Sequence, residues 1–423
     1  MFSQTAIVLA IFIATYVFII SEKIDRTIIS FFGATMLILL GIMSQEEALL
    51  FIDFNTIGLL IGMMTIVNIL KTTGVFQYIA IKTAKLAKGD PWRIIMFLCI
   101  VTAVLSAFLD NVTTVLLIAP VTLVITETLE VNPLPFLVPQ IISSNIGGTG
   151  TLVGDPPNIM IGSISGLGFM DFMLNTGPIA LIILFFTIII FKFIYGKKVE
   201  VDEDLKSKLL MFDEKKAIKE KSLLVKSLSI LFLTLVGFSI HETIGLESAS
   251  VALIGASTML LVSGANIEIV LHEIEWPTIF FFAFLFILIG GLEKVGIIDM
   301  LAEKITETAE TNFFLTAILM LWGSAIISSF LDNIPFVATM IPLISKMAAM
   351  STLDVTPLWW ALSLGACLGG NGSLIGASAN VIVAGILEKS SYKLSFIDYL
   401  KIGFPMMIIS IIMASFYLVA MYL

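Results

Sequence analysis

Gly147-Gly-Thr-Gly-Thr-Leu-Val-Gly-Asp155-Pro-Pro-Asn158 returns later in the chain as Gly369-Gly-Asn-Gly-Ser-Leu-Ile-Gly-Ala377-Ser-Ala-Asn380. Upstream, Ser106-Ala-Phe-Leu-Asp110-Asn111 returns as Ser328-Ser-Phe-Leu-Asp332-Asn333, and every equivalent pair lies 222 residues apart. One constant offset over two separated motifs marks a duplicated structural unit. The same register carries Thr56 onto Thr278, Gly74 onto Gly296 and Pro120 onto Pro342, so the repeat covers at least residues 56–158 and 278–380.

The medium follows from composition. Hydrophobic residues make up 58% of the chain and charged residues 13%, with apolar stretches of spanning length such as Ala6 to Ile20 and Ile402 to Leu423. The N-terminal stretch has no basic leader and no small-residue cleavage site before Glu22-Lys23, so it reads as a first span rather than a signal peptide. Cys99 and Cys367 sit in apolar runs without CxxC spacing, as packed small hydrophobes do. A net charge of −9 argues against nucleic acid as a partner. A duplicated unit in a bilayer points to a transporter. No nucleotide-binding GxxxxGK[ST] motif occurs, which argues against ATP drive within the chain.

Orientation follows from lysine placement. The polar segment from Lys192 to Lys226 holds ten of the 23 basic residues and belongs in the cytoplasm, with the N-terminus outside. Lys71 to Arg93 carries five basic side chains against Asp90 alone, whereas Glu293 to Glu310 carries two lysines against five acids. A sign reversal at equivalent positions is what inverted topology produces. The expected layout is first-half scaffold helices in 1–53, a first repeat unit in 54–195, a charged cytoplasmic connector in 196–226, second-half scaffold helices in 227–275, the inverted unit in 276–401 and a last span in 402–423.

Depth comes from length. Ile94 to Ile125 is interrupted only by the charge of Asp110, and a straight helix of its 32 residues would measure about 48 Å against a hydrocarbon core of roughly 30 Å. A re-entrant hairpin with Asp110-Asn111 at its tip resolves the excess, and Phe313 to Ile344 repeats the problem around Asp332-Asn333. Four glycines followed by Pro156-Pro157 cannot propagate a helix, so Gly147 to Asn158 is expected to interrupt a spanning helix. In the second copy Ser378-Ala379 replaces the prolines, and the break is expected to be softer. The fold class is therefore an all-α polytopic membrane protein with inverted repeats, two re-entrant helical hairpins and two interrupted transmembrane helices.

Unwound backbone at that depth exposes carbonyls and amides that lipid cannot satisfy, so it faces protein or a polar cavity. Glycines also permit close helix packing, but their recurrence at identical spacing beside each hairpin motif favours a site. Intramembrane aspartates are costly, on the order of 3 kcal/mol at the bilayer centre, which makes Asp110, Asp155 and Asp332 the candidate proton-coupling groups. Helix capping is their bland alternative. Asp155 has Ala377 as its counterpart, breaks the symmetry and is the strongest candidate. Neutral oxygen ligands for a substrate or ion come from Asn111, Thr113, Asn145, Gly148, Thr149 and Asn158 in the first half, and from Asn333, Gly370, Asn371, Ser373, Ser378 and Asn380 in the second. An all-oxygen set suits sodium or a protonated hydroxy species, and the lack of His or Cys clusters argues against a transition-metal cargo. His241 and His272, at loop edges, are expected to be solvated.

At Leu105 to Val121, Gly147 to Asn158 and Gly365 to Asn380 the chain resembles the ion transporter superfamily, in its arsenite-pump and sodium/proton-antiporter branch, and within that the pink-eyed-dilution P-protein group. The resemblance extends over essentially the whole chain. It implies a scaffold domain plus a mobile transport domain, a homodimer and elevator-type alternating access in the plasma (inner) membrane. Carboxylate-transporting relatives carry Ser-Asn-Thr at the hairpin tips, where this chain has Asp110-Asn111-Val112 and Asp332-Asn333-Ile334. Three carboxylates near one cavity repel an anionic substrate. The expectation is thus proton-coupled antiport of arsenite, antimonite or a monovalent cation, with sodium/proton exchange as the alternative and a dicarboxylate less favoured. Clustered acids disfavour being ionised together, so proton and ion occupancy exclude each other. No cofactor is implied beyond a coupling proton or sodium. An accessory ATPase subunit is implied only for an arsenite-type system. Two other classes compete: an intramembrane aspartyl protease, whose Tyr-Asp and Gly-x-Gly-Asp contexts this sequence lacks, and a passive channel, which needs no titrating groups.

Overall fold

The computed structural model describes residues 3–21, 23–196 and 201–423, and among them the regular structure is helical throughout. The first half comprises α1 (Gln4–Ser21), α2 (Arg26–Leu39), α3 (Gln45–Leu50), α4 (Phe54–Thr72), α5 (Val75–Leu86), α6 (Pro91–Leu109), α7 (Asn111–Thr128), α8 (Leu134–Thr149), α9 (Pro156–Ser165), α10 (Phe169–Asn175) and α11 (Gly177–Tyr195). The connector holds α12 (Glu203–Leu210) and a 3₁₀ turn at Glu214–Ala217. Its residues 197–200, with two of the ten basic side chains, lie outside the described residues. The second half comprises α13 (Lys221–Ile240), α14 (Ser248–Ser263), α15 (Ile267–His272), α16 (Trp276–Lys294), α17 (Ile297–Thr311), α18 (Phe313–Phe330), α19 (Asn333–Met350), α20 (Thr356–Gly369), α21 (Ser378–Lys389) and α22 (Phe396–Tyr422). Ten of the described helices are long and apolar enough to cross a membrane.

The duplication extends beyond the motifs that revealed it. Helices α3 and α15, and likewise α4 and α16, keep the 222-residue offset at both ends, and α2 and α14 begin at the equivalent Arg26 and Ser248. Outside the motifs the sequences have diverged, so the register survives only in helix boundaries. The halves exchange partners: α4 packs on α14 while α16 packs on α2, and α7 meets α21 while α19 meets α9. Small residues permit the first crossing, since a Cβ on Gly62 would come within 2.7 Å of the Ala252 backbone.

Both predicted interruptions are present. Helix α8 stops at Thr149 and α9 begins at Pro156, while α20 stops at Gly369 and α21 begins at Ser378. The second break, expected to be softer without prolines, is the longer of the two, at 370–377 against 150–155. Its backbone is held as the first break is, by the asparagine that follows: the Asn380 amide donates to the Gly370 carbonyl at 2.7 Å and to the Ser373 carbonyl at 2.9 Å. Gly147 and Gly369 also serve packing, because a Cβ at either would collide with the backbone of Ala103 or of Ala325 on the neighbouring α6 or α18. His272 is exposed, as expected. His241 is not: it is buried at the end of α13, its Nδ1 2.9 Å from the Phe238 carbonyl and its Nε2 3.1 Å from Ser248 Oγ. A carbonyl three residues back, invisible to hydropathy, satisfies the ring.

Candidate functional site

All three aspartates stand at helix N-termini, and the sequence just after each decides what its carboxylate is free to do. Asp110 is the single residue between α6 and α7 and adopts φ 92°. Its Oδ1 accepts the Thr113 amide at 2.7 Å and its Oδ2 the Thr113 hydroxyl at 2.6 Å. Both oxygens are used in capping α7. Asp332 caps α19, with Oδ1 accepting from the Ile334 amide at 3.1 Å. The residue equivalent to Thr113 is Pro335, which has neither amide hydrogen nor hydroxyl, so Asp332 Oδ2 turns elsewhere. It takes an ion pair from Arg26 and a hydrogen bond from Ser378 Oγ at 2.9 Å.

Asp155 occupies the N-cap position of α9 and makes no side-chain cap bond. The reason is Pro156-Pro157, which removes the first two amides a cap could use. The carboxylate is only 1% exposed. Its Oδ1 lies 3.5 Å from the Asn333 amide nitrogen, at the outer limit of a hydrogen bond, and Oδ2 is buried without a partner. The bland capping alternative therefore describes Asp110 and Asp332 and does not describe Asp155.

The three meet at a cavity of about 400 Å³ lined also by Asn111, Asn333 and Ser378, at the junction where each half's α7 or α19 abuts the other half's α21 or α9. Asp25, Arg26 and Glu275 line it too, and none of these was singled out from the sequence. Arg26 is 26% exposed at its side chain, donates to Ser378 Oγ at 3.0 Å and lies 4.9 Å from the centre of the Phe281 ring. The signal that could have found it is a lone arginine at the start of an apolar helix whose equivalent in the other copy is Ser248.

The other predicted ligands lie behind the cavity wall. Asn145, at the contact of α8 with α20, accepts from Asn111 at 3.1 Å and donates to Asn371 at 2.9 Å and Asn380 at 3.0 Å. Asn158 donates to the Thr151 carbonyl at 2.9 Å and the Thr149 carbonyl at 3.2 Å, occupying oxygens that an ion would otherwise use. Its own Oδ1 accepts from Ser363 at 2.7 Å, with Cys367 Sγ at 3.4 Å. Thr149 Oγ1 and Ser373 Oγ both donate to backbone carbonyls, of Asn145 and Ser329. Gly148 and Gly370 pack against the backbone of Gly154 and Gly376. These groups form a buried, mutually satisfied amide network around the two breaks, which rigidifies the floor beneath Asp155. Two oxygens near the cavity are left over, Asp155 Oδ2 and Asn111 Oδ1, both buried and without a partner.

The equivalent region on the other side of the duplication is closed. There Asn55, Leu152, Ile159, Ser163 and Ser248 surround a void of only about 10 Å³. Asn55 seals it, donating to Ser163 Oγ at 3.1 Å and accepting from the Ala249 amide at 2.9 Å.

Comparison with known proteins bears on family and fold. A family model described as a citrate transporter, CitMHS, matches residues 16–365. The chain is 42% identical over 422 residues to an uncharacterized transporter of Mycobacterium bovis, covering 98% of each chain. It is 34% identical to the human P protein, covering 98% of this chain and 60% of that one. The crystal structure of the YdaH transporter of Alcanivorax borkumensis superposes with a TM-score of 0.60 over 98% of this chain and 97% of that one, at 11% identity, a likeness of fold.

Proposed function

Since the chain belongs to the CitMHS family of the ion transporter superfamily and is a multi-pass membrane transporter, we propose that it exchanges protons for a small cation or a neutral hydroxide solute such as arsenous acid, with Asp155 as the exchanging group. The observation that carries this reading is a buried carboxylate oxygen without a hydrogen-bond partner at the wall of an acid-lined cavity. An isolated buried charge is unfavourable, so the carboxylate holds either a proton or a cation. Those two occupancies exclude each other, which is the requirement for antiport. Binding of a solute as neutral hydroxide would use Asn111 Oδ1 and the Asp155 carboxyl as hydrogen-bond partners.

One vestibule open and its equivalent sealed supports alternating access, the site being carried between the two by the part that moves. In that cycle α6–α7 and α18–α19 act as re-entrant hairpins, and α2 and α14 belong to the static part of an elevator. Citrate gives the matched family its description, but here, among the described residues, Asp25, Asp110, Asp155, Glu275 and Asp332 line the cavity against one cation, Arg26, which disfavours a tricarboxylate. The test is proton flux in proteoliposomes loaded with a pH dye, challenged in turn with sodium, lithium, arsenite and a dicarboxylate at zero imposed voltage. A response to sodium or lithium alone assigns cation/proton antiport, and a response to arsenite alone assigns metalloid exchange. A response to the dicarboxylate alone overturns the reading.

A further inference from the structure

Beyond the exchanging carboxylate, the cavity holds an uneven distribution of charge that the duplication makes legible. Asp110 and Asp332 are equivalent residues, yet they are satisfied in different ways. Asp110 has both oxygens engaged by Thr113 within its own helix turn. Asp332 has Pro335 in place of that threonine and obtains its second partner from Arg26, which reaches across from α2 and also binds Ser378 at the start of α21. Ser248, the equivalent of Arg26, carries no charge and lies in the sealed region. One proline in one copy and one arginine in the other half thus compensate each other.

We infer that Arg26 is a resident counter-cation that withdraws Asp332 from ion exchange, leaving Asp155 as the only exchanging carboxylate and setting the cavity to one proton released per cation bound. Guanidinium does not deprotonate at any accessible pH, so its charge neutralises Asp332 for as long as α2 stays against α19 and α21, as it does with this cavity open. Among the described residues, each remaining charged group lining the cavity is solvated or already accepts a hydrogen bond. Asp25 is exposed at the mouth with Oδ1 accepting from the Thr27 amide, Glu275 accepts from Thr278, and Asp110 is doubly capped. Removing the Arg26 charge exposes Asp332 Oδ2 beside Ser378, an oxygen pair resembling the surroundings of Asp155. A second proton or cation then has somewhere to bind.

This inference rests on the exchange role of Asp155, and the experiment separates the two. Purified protein in weakly buffered solution is given saturating sodium chloride, and in a parallel run lithium chloride, and the protons released per chain are counted with a pH dye. Wild type is expected to release one, Asp155→Asn none, Arg26→Gln two, and Arg26→Lys one, because lysine restores the charge. Release by Asp155→Asn equal to wild type, or none from wild type with either probe, overturns the exchange role itself. Loss of release in Asp155→Asn together with one proton from Arg26→Gln leaves that role standing and overturns the inference. Asp332→Asn gives an independent reading should Arg26→Gln fail to fold. One proton is expected there, since Asp332 is already neutralised, and a fall to none identifies Asp332 as the exchanging group and sinks the proposal.

Discussion

At the scale of single residues, three aspartates in similar settings differ because of their C-terminal neighbours. Asp110 caps its helix through both the amide and the hydroxyl of Thr113, Pro335 leaves Asp332 with a single cap bond to the Ile334 amide, and Pro156-Pro157 leave Asp155 with none. Returning an amide to the turn at Pro157→Ala offers Asp155 a cap bond, which competes with proton and cation. The expected outcome is an apparent affinity for the transported ion weakened several-fold with unchanged thermal stability, read from flux at graded concentrations and a melting curve. Asp155→Asn is expected to abolish coupled flux, and Asp110→Asn and Asp332→Asn to slow it, in protein that still inserts. Wild-type rates in all three would leave capping as the only role of Asp110 and Asp332 and remove the exchange role of Asp155. Asp110→Ala removes a cap and is expected to cost about 1 kcal/mol of stability, measured by thermal denaturation in detergent.

Among elements, the interruptions are set by backbone approach as much as by helix-breaking composition. Gly147 and Gly369 lie where α8 and α20 touch the backbones of α6 and α18, so Gly147→Val or Gly369→Val forces the helices apart. Expression and melting temperature of either variant are expected to fall sharply, with the defect present in the absence of any substrate. The connector is tied to the first half by Lys85, whose Nζ lies 2.7 Å from Glu214 and 2.9 Å from the Phe212 carbonyl. The Lys85 ammonium holds the Glu214 carboxyl below the ordinary glutamate range. A depressed carboxyl adds its stabilisation above the unfolded-state value and loses it as pH falls through the lowered one. Limited proteolysis of the connector should therefore accelerate on acidification below the usual glutamate range, and Lys85→Ala should show the fast rate already at neutral pH.

For the whole molecule, the informative feature is the inequality of two regions that the duplication makes equivalent. The Asn55–Ser163 contact that seals one of them has no side-chain counterpart at the open cavity, where Pro277 and Gly385 hold the equivalent positions and Arg26 stands in the place of Ser248. Alternating access requires the sealed region to open. A disulfide between Asn55→Cys and Ser163→Cys, whose present side chains meet at 3.1 Å, is expected to stop transport until reduced. Native Cys99 and Cys367 are buried and do not interfere. Undiminished transport by the cross-linked protein would show that this closure is not part of the cycle.

Local chemistry was enough to read much of this from the chain alone. A fixed offset between motifs, apolar runs longer than the bilayer, and glycine and proline in mid-run determined the duplication, the breaks at Asp110, Asp332 and the two glycine-rich loops, and the three aspartates, because each depends on residues adjacent in sequence. Helix boundaries extended the repeat upstream to α3 and to the start of α2, where divergence had erased its motifs. Neighbouring residues leave both Asp155 and Asp332 short of a full cap, and tertiary structure alone decided that Asp332 finds a cation while Asp155 Oδ2 finds no partner. Arg26 reaches Asp332 across 306 residues, and the amides of Asn145, Asn158 and Asn380 are consumed by one another and by the broken backbone. Whether a polar group is satisfied depends on partners that folding brings from the other half of the chain, and no pattern local to the group records them.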